Sequence, residues 1–126
     1  MLRVGLIQAL GTMIFVAETE ERILYAFADE ASAIAQCEAL DVESGVWLFW
    51  DDTGAPLEPE FITPNKRGIL SVVNGTYRLV PASEGHHAIL DEALDEILHI
   101  QVAGEWSAES VRSYLAERSA SDRLGA

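Results

Sequence analysis

The sequence predicts a single α+β domain in which about three helices pack on a largely antiparallel sheet. Short strand patterns separated by turns fill most of residues 14–80. A helical pattern interrupts them at residues 29–40, and two more helical patterns follow one another after residue 83. Strands joined by short turns pair antiparallel, because a parallel pair needs a longer crossover. A doubly wound parallel sheet is therefore not expected.

The domain is expected to span residues 13–118 of a chain of 126 residues, a length typical of one domain. The strand pattern becomes regular only at Ile14, so residues 1–12 are predicted to be a leader or an edge segment. Their apolar stretch is short and is broken by Gly5 and Gln8, which makes it a poor signal peptide. Residues 119–126 are predicted to be a flexible tail.

The first strands form a predicted hairpin and a predicted centre of the sheet. Residues 14–17 and 22–27 fit an antiparallel hairpin with an acidic turn. Residues 46–50, VWLFW, are apolar at every position and predict a central strand that is covered on both faces. Because successive side chains alternate between faces, Trp47 and Trp50 are expected to lie on opposite sides of the sheet.

The later strands are predicted from proline and turn signals. Residues 55–67 contain Pro56, Pro59 and Pro64, which favours an edge strand or an extended loop. Asn74 and Gly75 are suited to the positive φ angles of a two-residue turn. We therefore predict a hairpin between residues 69–73 and 76–80 within the same sheet.

The helical patterns have recognisable ends. Asp29 is a predicted N-cap for a helix that runs to about residue 40 and buries Cys37. A second helix is predicted over residues 86–102, followed by Gly104 at its C-terminal end. Ser107 is the predicted N-cap of a third helix that ends near residue 117, with Trp106 and Val111 as a hydrophobic staple.

Charge is the most informative feature of the composition. The chain has 21 Asp and Glu against 8 Lys and Arg, a net charge of −13, although 49% of its residues are hydrophobic. Residues 18–60 hold twelve carboxylates and one base, and residues 79–111 hold seven carboxylates and no base. Such surfaces repel nucleic acid, whose binding requires cations against the phosphates, and attract a basic protein. The alternative is that acidity serves solubility alone.

Evidence for catalysis is sparse. His86 and His87 with Asp91 could bind a metal or act as acid and base, or they could be exposed residues of a first helical turn. Asp51 and Asp52 could hold a divalent cation or simply form a turn. His99 is interpreted as a favourable residue at a helix C-terminus. No catalytic residue, metal site or cofactor is predicted.

Cysteine use and hydropathy indicate a cytoplasmic protein. Cys37 is the sole cysteine, and no Cys/His spacing resembles a zinc site, which favours a reducing compartment. Without a neighbouring cation Cys37 is predicted to be a core residue. No apolar run reaches the roughly 18 residues of a membrane span, so no membrane partner is expected.

A partner-binding surface is predicted from the carboxylates that have the least compensating charge. Like charges four residues apart destabilise a helix, so the cluster within residues 91–96 suggests that another molecule supplies positive charge. The predicted partner-binding residues are Asp51, Asp52, Glu58, Glu60, Asp91, Glu92, Asp95 and Glu96.

In overall build and in residues 23–61, ILYAFADEASAIAQCEALDVESGVWLFWDDTGAPLEPEF, the chain resembles the small acidic immunity proteins that bacteria encode beside polymorphic toxins, including those of contact-dependent growth inhibition. The resemblance implies cytosolic binding of a cognate toxin, often a nuclease, with acidic side chains covering its basic active site. Two other functions remain open: an acidic adaptor subunit with an unrelated partner, and a small metal-dependent enzyme.

Overall fold

The computed structural model describes residues 13–101 and 107–125, with side chains through residue 118. Eight strands and four helices are present in this part of the chain. The strands are β1 Ile14–Glu18, β2 Ile23–Phe27, β3 Trp47–Trp50, β4 Pro56–Thr63, β5 Lys66–Arg67, β6 Val72–Val73, β7 Thr76–Pro81 and β8 His99–Gln101. The helices are α1 Glu30–Gln36, α2 Ala39–Glu43, α3 Leu90–Ala93, which continues into a 3₁₀ turn Leu94–Glu96, and α4 Ala108–Gly125.

Six strands form one sheet in the order β7-β4-β3-β1-β2-β8, and every pair except β2 with β8 is antiparallel. The predicted α+β class with a largely antiparallel sheet is confirmed. The hairpin of β1 and β2 is also confirmed, with Ile14 opposite Phe27 and Glu18 opposite Ile23.

The sheet has a hydrophobic core on each face. Helices α1 and α2 cover the face that carries Val16 and Phe49. Helix α3 and helix α4 cover the face that carries Phe15 and Trp50. Strand β3 lies inside the sheet between β4 and β1, as predicted. Trp47 packs on the first core and Trp50 on the second, so the alternation predicted for β3 is confirmed.

The predicted hairpin at Asn74 and Gly75 is wrong. Strand β6 pairs with β5 in a separate two-stranded sheet, while β7 pairs with β4. Gly75 is not among the glycines with positive φ, and a Cβ there would lie 2.2 Å from the carbonyl oxygen of Thr63. The Asn74 side-chain oxygen instead accepts a hydrogen bond from the amide of Leu40 at 3.0 Å. Both residues thus serve tertiary contacts in place of a turn.

The proline-rich segment is an interior strand with an irregularity between Phe61 and Thr63, and not the edge strand or extended loop that was predicted. Strand β4 pairs with β7 along its length and with β3 at Pro56 and Leu57. Opposite Pro59, the amide of Leu79 donates outward to Glu30 at 2.7 Å, so this pair does not exchange ladder hydrogen bonds. The missing N–H of Pro59 therefore faces β3, whose pairing with β4 is confined to Pro56 and Leu57.

The helix predicted over residues 86–102 is much shorter. After the 3₁₀ turn the chain extends into β8, where Ile100 pairs with Leu24. The open edge of the first hairpin explains this change, because the amides of Leu98 and His99 both donate to the carbonyl of Arg22, at 2.8 and 3.3 Å. His99 therefore lies in a strand, and its predicted place at a helix C-terminus is wrong.

The remaining helix ends were predicted with mixed success. Asp29 caps α1, its carboxylate accepting from the Ser32 amide at 2.8 Å, but the helix breaks at Cys37 before α2 begins. Ser107 caps α4, its hydroxyl accepting from the Ser110 amide at 3.2 Å. Helix α4 continues to Gly125, past the predicted end at residue 117. The predictions for residues 1–12, Gly104 and Trp106 lie outside the described residues.

Candidate functional site

A groove of about 430 Å³ runs between the sheet and the segment formed by α3 and its 3₁₀ turn. Its floor is apolar and consists of Ala17 of β1 with Leu48 and Trp50 of β3. Ala93 and Ile97 form the wall opposite the sheet. The volume lies in the range of protein pockets that hold small ligands or the side chains of a partner. We call this site the Trp50 groove.

Carboxylates dominate the rim of the Trp50 groove. Glu18 at the end of β1, Glu92 of α3 and Glu96 of the 3₁₀ turn all line it, against the single guanidinium of Arg22. Within the described part of the chain, neither Glu92 nor Glu96 makes an ion pair or a side-chain hydrogen bond. Glu18 accepts a hydrogen bond from the amide of Glu21 at 2.6 Å. The groove is therefore an apolar slot with a negative rim.

Trp50 holds the two sides of the groove together. The ring is 1% exposed, and its Nε1 donates a hydrogen bond to the carbonyl of Ala88 at 2.8 Å. The amide of Leu90 donates to the carbonyl of Gly54 at 2.9 Å. These two bonds attach the chain before α3 to the end of β3. The position of Glu92 and Glu96 over the groove follows from this attachment.

His87 forms part of the groove wall in a defined tautomer. Its Nε2 lies 3.0 Å from the carbonyl oxygen of Phe49, and its Nδ1 lies 2.7 Å from Nδ1 of His86. A carbonyl only accepts, so Nε2 of His87 carries a proton, and neutral His87 accepts at Nδ1. Burial lowers the pKa of His87, although the hydrogen bond to Phe49 opposes this effect. His87 is thus a mainly neutral group at pH 7.

The proposed metal ligands do not converge. His87 contacts Phe49 and the edge of the Trp50 ring, whereas Asp91 binds Arg112. Both histidines precede α3, so the helical i,i+4 relation between His87 and Asp91 is absent. In residues 13–101 and 107–118 no three His, Cys, Asp or Glu side chains are grouped as metal ligands. Neutral His87 therefore has a structural role in the groove wall.

Asp91 and Asp95 are paired with a basic residue of the same chain. Arg112 of α4 donates to Asp91 through Nε at 3.0 Å and to Asp95 through Nη2 at 2.8 Å. These two hydrogen bonds raise the pKa of Arg112. The inference that another molecule neutralises the whole cluster is therefore wrong for this pair. Glu92 and Glu96 are the members of the cluster that remain open to a partner.

Asp51 and Asp52 are engaged with the protein. Oδ1 of Asp51 accepts from the amide and hydroxyl of Thr53, at 2.8 and 2.6 Å, and from the amide of Ala55 at 3.0 Å. This is the turn that the sequence allowed as an alternative to a cation site. Asp52 is buried and pairs with Nε of Arg118 at 2.9 Å. Neither carboxylate lines the Trp50 groove.

Glu58 and Glu60 lie along β4, away from the Trp50 groove. Glu60 pairs with Arg78 on the neighbouring strand. Glu58 accepts a hydrogen bond from the amide of Ser83 at 2.6 Å, which lowers the pKa of Glu58. Of the eight predicted partner-binding residues, the structure therefore brings together only Glu92 and Glu96 at the groove.

Sequence reasoning missed the contributions of Glu18 and Arg22. Both lie at the turn between β1 and β2, where a charged tip was predicted without an assigned role. No local sequence signal places them there: Glu18 lies beside the aromatic strand because it pairs with Trp47 in the sheet. Arg22 has a φ of +60°, a left-handed conformation unusual for a residue other than glycine.

Cys37 is a core residue, as predicted. It is completely buried, and burial raises the pKa of its thiol to about 12. A thiol of this kind is protonated at physiological pH and is a poor nucleophile.

Comparison of the chain with known protein families, curated proteins and solved structures found no match. Within the described residues, no helix has both the length and the apolar character needed to cross a bilayer. The chemistry of the Trp50 groove is thus the basis for assigning a function.

Proposed function

We propose that this chain is an immunity protein that neutralises a basic bacterial toxin, most simply a nuclease of a contact-dependent or related polymorphic system, in the cytoplasm. The observation that carries the proposal is the pair of unpartnered carboxylates, Glu92 and Glu96, beside an apolar slot with Leu48 and Ile97 partly exposed in its walls. Glu18 adds a third carboxylate to the same rim. A cationic surface loop of the toxin fits this combination of charge and shape.

The groove is suited to long basic side chains. Lysine and arginine bury their aliphatic stems on apolar surface while their charged ends stay at the rim. The partly exposed Leu48 and Ile97 would receive the stem, and Glu92 or Glu96 would receive the charge. In a nuclease such side chains normally hold the phosphates of the substrate. Carboxylates of the inhibitor would occupy the same cations and exclude the nucleic acid.

The test begins with any large secreted protein whose gene lies beside the gene for this chain. Its C-terminal toxic domain is produced with wild-type protein and with the double variant Glu92→Lys/Glu96→Lys, and binding is measured by calorimetry. We expect the affinity to fall by roughly a hundredfold or more, since each reversed carboxylate is expected to cost about tenfold. Cells that express the toxin should lose protection by the same variant.

A matched control distinguishes an effect of the groove carboxylates from an effect of net charge. Glu38→Lys/Glu117→Lys changes the charge by the same amount at two exposed positions outside the groove. This variant should bind and protect like wild type. A toxin that is bound equally well by both double variants would place the interface elsewhere, and absence of any binding to the neighbouring product would overturn the immunity proposal.

A further inference from the structure

A short basic hairpin carries the most exposed apolar side chains of the described chain. Strands β5 and β6 and the turn between them, residues 66–73, form what we call the basic arm. Ile69 and Leu70 at its tip are 101% and 97% exposed, and Val72 and Val73 are also exposed. Lys66 and Arg67 supply positive charge on the other strand. A fully exposed Ile-Leu pair gains nothing from the fold of its own chain.

The base of the basic arm is fixed to the body. Nδ2 of Asn65 donates to the carbonyl of Ala39 at 3.1 Å, and its Oδ1 accepts from the amide of Gly75 at 2.7 Å. Asn74 binds the amide of Leu40 in the same region. An isolated two-stranded hairpin is marginally stable in water. Anchoring at both ends to α2 therefore holds in place an arm whose tip is left bare.

We infer that the basic arm docks in the Trp50 groove of a second copy of this chain. The two surfaces are complementary in hydrophobicity and in charge. Ile69 and Leu70 match the apolar floor of the groove, and Lys66 and Arg67 match its carboxylate rim. Lys66 has no ion pair among the described residues, and Arg67 has only a long contact of 3.9 Å with Glu43. Both cations are available to a partner at little cost.

The arm and groove of one molecule lie on opposite sides of the sheet. The arm is anchored to α2, which packs on the face of Val16 and Phe49. The groove opens on the face of Trp50, beside α3. The sheet separates them, so the contact forms between molecules. Because the arm and the groove lie on opposite sides, one partner cannot engage both, and the arm of each molecule enters the groove of the next head to tail.

This inference does not depend on the proposed function, although both use the Trp50 groove. A toxin and a second copy would compete for it. The variant Ile69→Ser/Leu70→Ser distinguishes the two, because it should lose self-association while its intact groove still binds the toxin. Self-association is measured without toxin, so a failure of toxin binding leaves it untouched.

Sedimentation velocity over a range of concentrations at physiological salt, which screens the repulsion between two acidic copies, tests this self-association. Wild type should show a concentration-dependent shift from monomer to dimer and to longer head-to-tail species. The tip variant Ile69→Ser/Leu70→Ser and the groove variant Glu92→Lys/Glu96→Lys should each weaken the dimer at least about tenfold. The control Glu38→Lys/Glu117→Lys should dimerise like wild type, and circular dichroism should show the same fold for all four proteins.

Reversing the charges of the arm in one protein and of the groove in another should restore association between the two. The arm variant Lys66→Glu/Arg67→Glu should be monomeric alone, since its arm and its groove are both acidic. Mixed with Glu92→Lys/Glu96→Lys it should form mixed assemblies, because each arm then meets a groove of opposite charge. Wild type that stays monomeric at millimolar concentration, or a mixture that does not associate, would overturn the inference. Binding of wild type, and not of the tip variant, to phosphatidylcholine or phosphatidylglycerol vesicles without dimerisation would assign the tip to lipid and overturn it equally.

Discussion

At the scale of single residues, the charges that looked alike in the sequence have different roles. Asp52 and Arg118 form a pair in which the side chains are 11% and 12% exposed, whereas Glu60 and Arg78 form an exposed pair. Glu92 and Glu96 carry no pair in the described structure and line the groove. Acidic composition alone cannot distinguish a buried ion pair, an exposed ion pair and an unpaired carboxylate. The difference depends on which basic residue of a distant segment packs beside each carboxylate.

The Asp52 and Arg118 pair should contribute strongly to stability. Substitution Arg118→Met leaves the carboxylate of Asp52 largely buried without its cation, and loss of about 3 kcal/mol in unfolding free energy is expected. Urea denaturation measures this change. The control Arg78→Met removes a cation from an exposed pair and should cost no more than about 1 kcal/mol. Equal losses for the two variants would contradict the burial of Asp52.

His87 should make the protein less stable as the pH falls below the ordinary histidine pKa of 6.5. Burial lowers its pKa in the folded state, so between the two pKa values the unfolded chain binds the proton more readily. The stabilising effect of neutral His87 is complete above pH 6.5 and is lost as the pH falls through the lower folded value.

The measurement is the difference in unfolding free energy between about pH 7.5 and about pH 5.5. His87→Gln should show a smaller difference than wild type. Trp47→Phe, which changes no titratable group, provides the control and should retain the wild-type difference. Identical pH profiles for wild type and His87→Gln would contradict the assigned tautomer and burial.

At the scale of elements, strand β3 connects the two cores and supplies the groove floor. Its alternation places Trp47 and Trp50 on opposite faces, which the sequence pattern predicted. The two rings nevertheless differ. Nε1 of Trp50 donates to Ala88, whereas Nε1 of Trp47 is buried with no acceptor among the described residues. Only the structure could assign these hydrogen bonds, because residue 88 is distant in the chain.

Phenylalanine substitutions should therefore separate the two tryptophans. Trp50→Phe removes the bond that attaches the segment before α3, and a loss of about 1–2 kcal/mol in unfolding free energy is expected. Trp47→Phe removes an unsatisfied donor and should be nearly neutral. Thermal and urea unfolding measure both. Trp50→Ala, which also empties a core position, should cost about 3–5 kcal/mol. A larger loss for Trp47→Phe than for Trp50→Phe would contradict the difference between the two rings.

At the scale of the whole molecule, the net charge of −13 acts at a distance. Long-range attraction steers a basic partner toward the surface and is screened when the Debye length falls to about 10 Å at 0.1 M salt. The rate of association with a basic toxin should therefore fall steeply between low and physiological ionic strength, while dissociation changes less. Stopped-flow fluorescence of the groove tryptophan measures both rates. An association rate that ignores salt would indicate that the acidity serves solubility.

The local patterns of the chain determined its class, the hairpin of β1 and β2, the central place of β3 and the caps at Asp29 and Ser107. Each depends on hydrophobic alternation or on a hydrogen bond a few residues away. Tertiary structure decided the rest. Gly75 packs closely against the backbone of Thr63 and Pro64 because β7 pairs with β4. Residues 99–101 form a strand because the edge of β2 is open to pairing. Arg112 and Arg118 pair with carboxylates from distant segments, whereas Glu92 and Glu96 stay unpaired at the rim of the groove. Such pairing depends on the packing of distant segments, which no local sequence pattern contains.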